Sequence, residues 1–95
     1  MIEVITERRL LPEEVDDMVR LFSEEARRAR SAGGCFSAEI LQSTDDPWVW
    51  LSRTTWASGD HWRSWKASPP YDEIEGEIKS HLLAPEKESV FMCIR

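Results

Sequence analysis

Trp56-Ala57-Ser58-Gly59-Asp60-His61-Trp62-Arg63-Ser64-Trp65-Lys66-Ala67-Ser68-Pro69-Pro70-Tyr71 is where strand character gives way to helix. An apolar strand ends at Trp56, Ser58-Gly59 makes a turn, and a short helix then carries Trp62 and Trp65. Ser68-Pro69-Pro70 stops that helix, and Tyr71 follows at once. Tryptophan is large and amphipathic, with one N–H that wants a partner. Three tryptophans and a tyrosine so close together form either the centre of a small core or the wall of an aromatic-binding pocket.

Upstream, Trp48 to Trp56 reads as a strand with Trp48, Trp50 and Trp56 on one face and Val49, Leu51, Arg53 and Thr55 on the other. Cys35 to Gln42 is the strand before it, with Phe36, Ala38 and Ile40 on one face, and Ser43-Thr44-Asp45-Asp46-Pro47 is the turn between them. The chain opens as a strand in which Ile2, Val4 and Thr6 alternate with Glu3, Ile5 and Glu7. Leu10-Leu11-Pro12-Glu13-Glu14 marks a helix entry, because proline lacks only an N–H that has no partner there and the glutamates meet the positive end of the helix dipole. Val15, Met18, Val19, Phe22, Ala26 and Ala29 form one apolar stripe, Arg27, Arg28 and Arg30 gather at the cation-favouring end, and Gly33-Gly34 ends the helix. Downstream, Tyr71 to His81 is helical, with Ile74, Ile78 and Leu82 four apart, Pro85-Glu86-Lys87 is a turn, and Ser89 to Arg95 is the last strand.

Strand, helix, strand, strand, helix, strand is the order of the α+β, ferredoxin-like split βαβ fold: a four-stranded antiparallel sheet with helices on one face. Trp48-Val49-Trp50-Leu51 and Val90-Phe91-Met92-Cys93-Ile94 are apolar on both faces. A sheet with one face in water should alternate, so both faces are expected to be covered, one by the helices and the other by a second subunit. In this topology the second and last strands are opposite edges. Cys35 and Cys93 then lie on the order of 14 Å apart, too far for a disulfide, and read as thiols in a reducing compartment.

The 95 residues read as a single domain, 1–95, that buries a modest core. A net charge of −6 argues against nucleic acid and anionic membrane surfaces as partners. No apolar run approaches the ~20 residues of a membrane span, and the N-terminus lacks the basic start and apolar stretch of a signal peptide, so a cytoplasmic location is expected. No GxSxG, phosphate loop or zinc spacing occurs. Asp72-Glu73-x-Glu75-x-Glu77 reads as a solvated face, and His81 as an exposed helix-end cation.

The pattern Trp56-x-Ser58-x-x-x-Trp62-x-x-Trp65-x-x-Ser68-x-x-Tyr71 resembles the antibiotic biosynthesis monooxygenase family, small proteins with a dimeric α+β barrel fold, and the resemblance covers nearly the whole chain. The family includes cofactor-independent oxygenases of polyketide anthrones, heme-degrading enzymes and isomerases of small signalling molecules. The anthrone oxygenases use an asparagine, a tryptophan and a tyrosine around a cavity between sheet and helices. By position the tryptophan corresponds to Trp65, the tyrosine to Tyr71 and the asparagine to His61.

The resemblance therefore implies a homodimeric monooxygenase without cofactor or metal, acting on a small aromatic or quinone-like molecule. His61 would take a proton, Trp65 and Tyr71 would donate hydrogen bonds and stack, and Trp62 and Trp56 would contact the substrate. Two other readings stand beside it. One is a ligand-binding or interaction module of the same fold. The other is a heme-binding or heme-degrading enzyme, in which the axial-histidine position is occupied here by Glu75.

Overall fold

The computed structural model describes residues 1–94. Four strands, β1 (Ile2–Arg9), β2 (Cys35–Gln42), β3 (Val49–Trp56) and β4 (Lys87–Met92), form one sheet in the order β2-β3-β1-β4. Every neighbouring pair is antiparallel, with Val4 opposite Thr54 on one side and Val90 on the other. The helices are α1 (Val15–Arg30), α2 (Gly59–Lys66) and α3 (Pro69–Lys79), with a 3-10 turn at Pro12–Glu14 ahead of α1. The expected four-stranded ferredoxin-like sheet is therefore the observed one. β2 and β4 are its edges, so Cys35 and Cys93 lie on opposite sides of the sheet and both are free thiols.

The period of two along β1 sends Val4, Thr6 and Arg8 inward and leaves Glu3 and Glu7 less covered. Val4 meets Ala26 and Ala29 of α1, Ala38 of β2, Trp56 and Trp65 in one apolar cluster. Leu10, Met18, Phe22, Ile74 and Ile78 make a second cluster, where α1 packs on α3. Trp56, Met18 and Ile78 are fully buried, each contributing on the order of 1.5–3 kcal/mol. Between the two clusters the interior is polar, and the site is built there.

Three boundaries differ from expectation. Pro69 and Pro70 begin α3 as well as ending the helix before it, because proline is preorganised for the first helical turn. Trp48 stands in the turn ahead of β3, 45 % exposed, with its carbonyl accepting from Leu10 N–H. β4 spans Lys87–Met92, earlier than the expected Ser89–Arg95, and Arg95 lies outside the described residues. On β4 and just beyond, Val90, Phe91, Met92 and Ile94 are all exposed. Among the described residues no helix is long and apolar enough to cross a membrane.

Candidate active site

A cavity lies between the sheet and the helices. Val4, Thr6 and Arg8 of β1 and Ser52 and Thr54 of β3 form its floor, Glu25, Ala26 and Ala29 of α1 one side, and Trp62, Trp65, Lys66 and Tyr71 its roof. Its volume is about 40 Å³, room for roughly three water molecules. Lys66 closes one end: its Nζ is 2.8 Å from Glu88 Oε1 on β4 and 5.3 Å from the ring centres of both Trp62 and Tyr71. A cation over two aromatic faces and beside a carboxylate is favourably placed on each count.

The roof is an aromatic row. Trp65 stacks on Trp56 at 6.2 Å and takes Tyr71 edge-on at 5.5 Å and 70°. Such offset and edge geometries suit the ring quadrupole. Trp65, 7 % exposed, belongs to the core and to the cavity wall at once. Trp62 is half-buried and also faces the cavity. Trp56 lies behind Trp65, with no solvent exposure and its Nε1 donating to Thr54 Oγ1 at 2.8 Å. Trp56, expected to contact the substrate, is outside the cavity lining and packs behind Trp65.

His61 does not join this group. Ser58 caps α2, its Oγ accepting from His61 N–H at 3.3 Å and lying 2.8 Å from His61 Nδ1. The ring packs over Gly34, whose φ of +83° and lack of a Cβ make room for it. His61 is exposed and lines a separate open groove with Arg28, Ser31, Pro70 and one side of Trp65, which borders both this groove and the cavity. At 3.6 residues per turn, a step of four back from Trp65 rotates about 40° one way, whereas the step of three back to Trp62 rotates about 60° the other. The cavity is on the Trp62 side. His61 and Trp65 thus share the open groove, while Trp62, Trp65 and Tyr71 share the cavity.

The polar end of the cavity was missed from the sequence altogether. Arg8, 3 % exposed, holds Glu25 at 2.9 Å, Glu75 at 3.2 Å and Glu86 at 2.6 Å, donates to Ser52 Oγ at 2.8 Å, and stacks 4.8 Å above Phe22. Burial alone would lower the Arg8 guanidinium, but Glu25, Glu86 and Glu75 together raise it above its usual value. Burial, reinforced by neighbouring carboxyls, pushes Glu75 and Glu86 each up to about 7. Burial, and then Glu75, Glu88, Glu86 and Glu25, raise the Tyr71 hydroxyl well above the ordinary phenol range, so it stays a donor. Glu75 was expected on a solvated face; it is 3 % exposed and inside the ion cluster. Its run of acids hid that it lies four residues after Tyr71 and next to buried Ile74.

Residues 1–77 match the family model for antibiotic biosynthesis monooxygenase, and the chain belongs to that family. No curated protein matches the chain. Among solved structures it is similar to an antibiotic biosynthesis monooxygenase (TM-score 0.90, 17 % identity, all of both chains). It is similar to Rv0793 from Mycobacterium tuberculosis (TM-score 0.90, 18 % identity, 99 % of this chain and 95 % of that one). It is similar also to SnoaB, a cofactor-independent oxygenase from Streptomyces nogalater (TM-score 0.88, 12 % identity, 99 % and 93 %). At these identities the likeness is one of fold.

Proposed function

We propose that this chain is a cofactor-independent monooxygenase that takes a small aromatic or quinone-like molecule against Trp65, Trp62 and Tyr71, working as a homodimer in the cytoplasm. The observation that carries the reading is the partly open cavity between sheet and helices with Trp65 and Tyr71 on one wall. An electron-rich phenol or anthrone, once deprotonated, can pass electrons to O2 directly. In the overall change a ring CH2 and O2 give a ring C=O and water. The site must take a proton, donate to the developing oxyanion and exclude water. Tyr71, held protonated, suits the second task, and the Lys66–Glu88 pair suits the third. The exposed His61 is badly placed for the first.

The volume limits the substrate. About 40 Å³ is too small for an aromatic ring, so any aromatic substrate needs Lys66 and Glu88 to part. That small volume is also what favours the second reading, a ligand-binding module without turnover. The heme reading does not fit, because the Glu75 carboxylate is buried, held by Arg8 and absent from the cavity wall. The test is oxygen uptake with 1,8-dihydroxyanthrone and smaller phenols, in protein free of flavin and metal. Uptake that Tyr71→Phe lowers by roughly 10²–10³ supports the reading, that being the usual loss with one oxyanion donor. Saturable binding of these compounds without uptake supports the binding module.

A further inference from the structure

The acidic end of the cavity has no task in the reading above, and one of its atoms is incomplete. Glu25 lines the cavity with a side chain that is 10 % exposed. Its Oε1 accepts from Arg8 at 2.9 Å, and its Oε2 is buried without a partner. Glu75 meets the same Arg8 nitrogen as Glu25, and its carboxyl, pushed up to about 7, can donate to Glu25 only below that pH, so above it Oε2 has no donor. The other charged or titratable groups lining the cavity are Arg8, Glu39, Lys66, Tyr71 and Glu88, with Glu86 paired to Arg8 behind them. Arg8 and Lys66 already supply cations, so the missing partner is a hydrogen-bond donor that need not carry charge. The aromatic roof asks for a ring on the same molecule.

We propose that Glu25 Oε2 receives the hydroxyl of a hydroxyaromatic ligand, phenol or enol, whose ring lies against Trp65 and Trp62, and that Glu25 takes its proton. The proposal deepens the monooxygenase reading and rests on it for the oxygen step alone. In the transfer the ligand O–H bond breaks, an H–Oε2 bond forms, and the electron pair stays on the ligand oxygen. No oxidant enters until O2 meets the resulting anion. Glu25 also has a way to pass the proton on: Glu25, Glu75 and Glu86 gather around the one Arg8 guanidinium, and Glu86 borders the open groove beside Leu83 and Pro85. The carboxylate thus occupies the place that the sequence had suggested for His61.

Calorimetric titration at pH 8, where Glu75 is ionised, with 4-chlorophenol, its methyl ether 4-chloroanisole, and benzylamine tests the proposal without turnover. The phenol should bind at least about tenfold more tightly than the ether, because only the phenol has an O–H to give to the buried Oε2. Glu25→Gln should cut that preference about fivefold and leave the affinity for the ether unchanged, which a purely structural role would not do. If Glu25→Gln does not fold, the comparison on the unaltered protein decides. Equal binding of phenol and ether, no saturable phenol binding at millimolar concentration, or tighter binding of benzylamine overturns the proposal. Oxygen uptake is measured in parallel. A phenol preference that depends on Glu25, without uptake, upholds the site and removes the oxygenase reading. Uptake unaltered by Glu25→Gln does the reverse.

Discussion

Glu75 Oε2 lies 3.2 Å from the guanidinium of Arg8, and both side chains are almost wholly removed from water. One cation therefore serves three buried carboxyls, Glu25, Glu75 and Glu86. A buried charge set without its counter-ion is far more costly than one that is complete. Arg8→Met should destabilise the fold by about 3–5 kcal/mol. Glu75→Gln should cost much less or stabilise, since it removes one of the competing carboxyls. Urea unfolding of the two variants distinguishes them, and equal losses would show that Arg8 and Glu75 act as a simple pair.

The same cluster sets a pH dependence of stability. Glu75 and Glu86 rise from 4.5 to about 7 on folding. Between those values the folded state holds more protons than the unfolded chain, so stability falls as pH rises. The contribution is complete below about 4.5 and lost above about 7. For the coupled pair it is on the order of a few kcal/mol at most. The urea midpoint should be higher at pH 5.5 than at pH 8, and Glu75→Gln should flatten that slope. A midpoint that climbs toward pH 8 in both proteins would remove the cluster as its cause.

Regular period made the frame legible. The stripe Met18, Phe22, Ala26, Ala29 gave α1, and the alternation of Val4 and Thr6 gave β1. Trp65 and Tyr71 were implied by the family resemblance, and the proline turn sets their rings edge to face. The polar residues of the site obey the same periods, but their charge argued against burial. Arg8 has the parity of Val4 and Thr6, and Glu25 falls three residues after Phe22 and four before Ala29. Each reads as an interruption of an apolar face, and only the meeting of β1, α1 and α3 shows that the interruptions pair with one another.

His61 and Gly34 make a structural prediction in place of a catalytic one. Gly34→Ala puts a Cβ into the His61 ring and an alanine at φ +83°. It should cost about 1–2 kcal/mol for the backbone alone, and more for the clash. His61→Ala should recover the clash but not the backbone part, giving a measurable coupling in a double-mutant cycle. His61→Ala by itself should leave turnover within a few-fold and the pH profile unmoved. A loss of 100-fold or more would place His61 at the reacting group after all.

Assembly is the remaining consequence of the sheet. Phe91 and Met92 are 52 % and 74 % exposed on β4, and Ile94 beyond them is 82 % exposed. Phe36 on the opposite edge strand is 65 % exposed. By register Phe91 shares with Glu3 and Ile5 the sheet face that the helices leave bare, and an apolar ring exposed there suits another copy of the chain. Sedimentation equilibrium at micromolar concentration should give twice the 11.0 kDa chain mass. A contact of this kind is apolar and large, on the order of 1,500 Å² or more in total, so a charge at its centre should break it. Phe91→Glu should sediment as a monomer and melt at a lower temperature, since a small chain gains much of its stability from its partner. A wild-type monomer would overturn the covered-sheet argument; a Phe91→Glu dimer would move the contact away from β4.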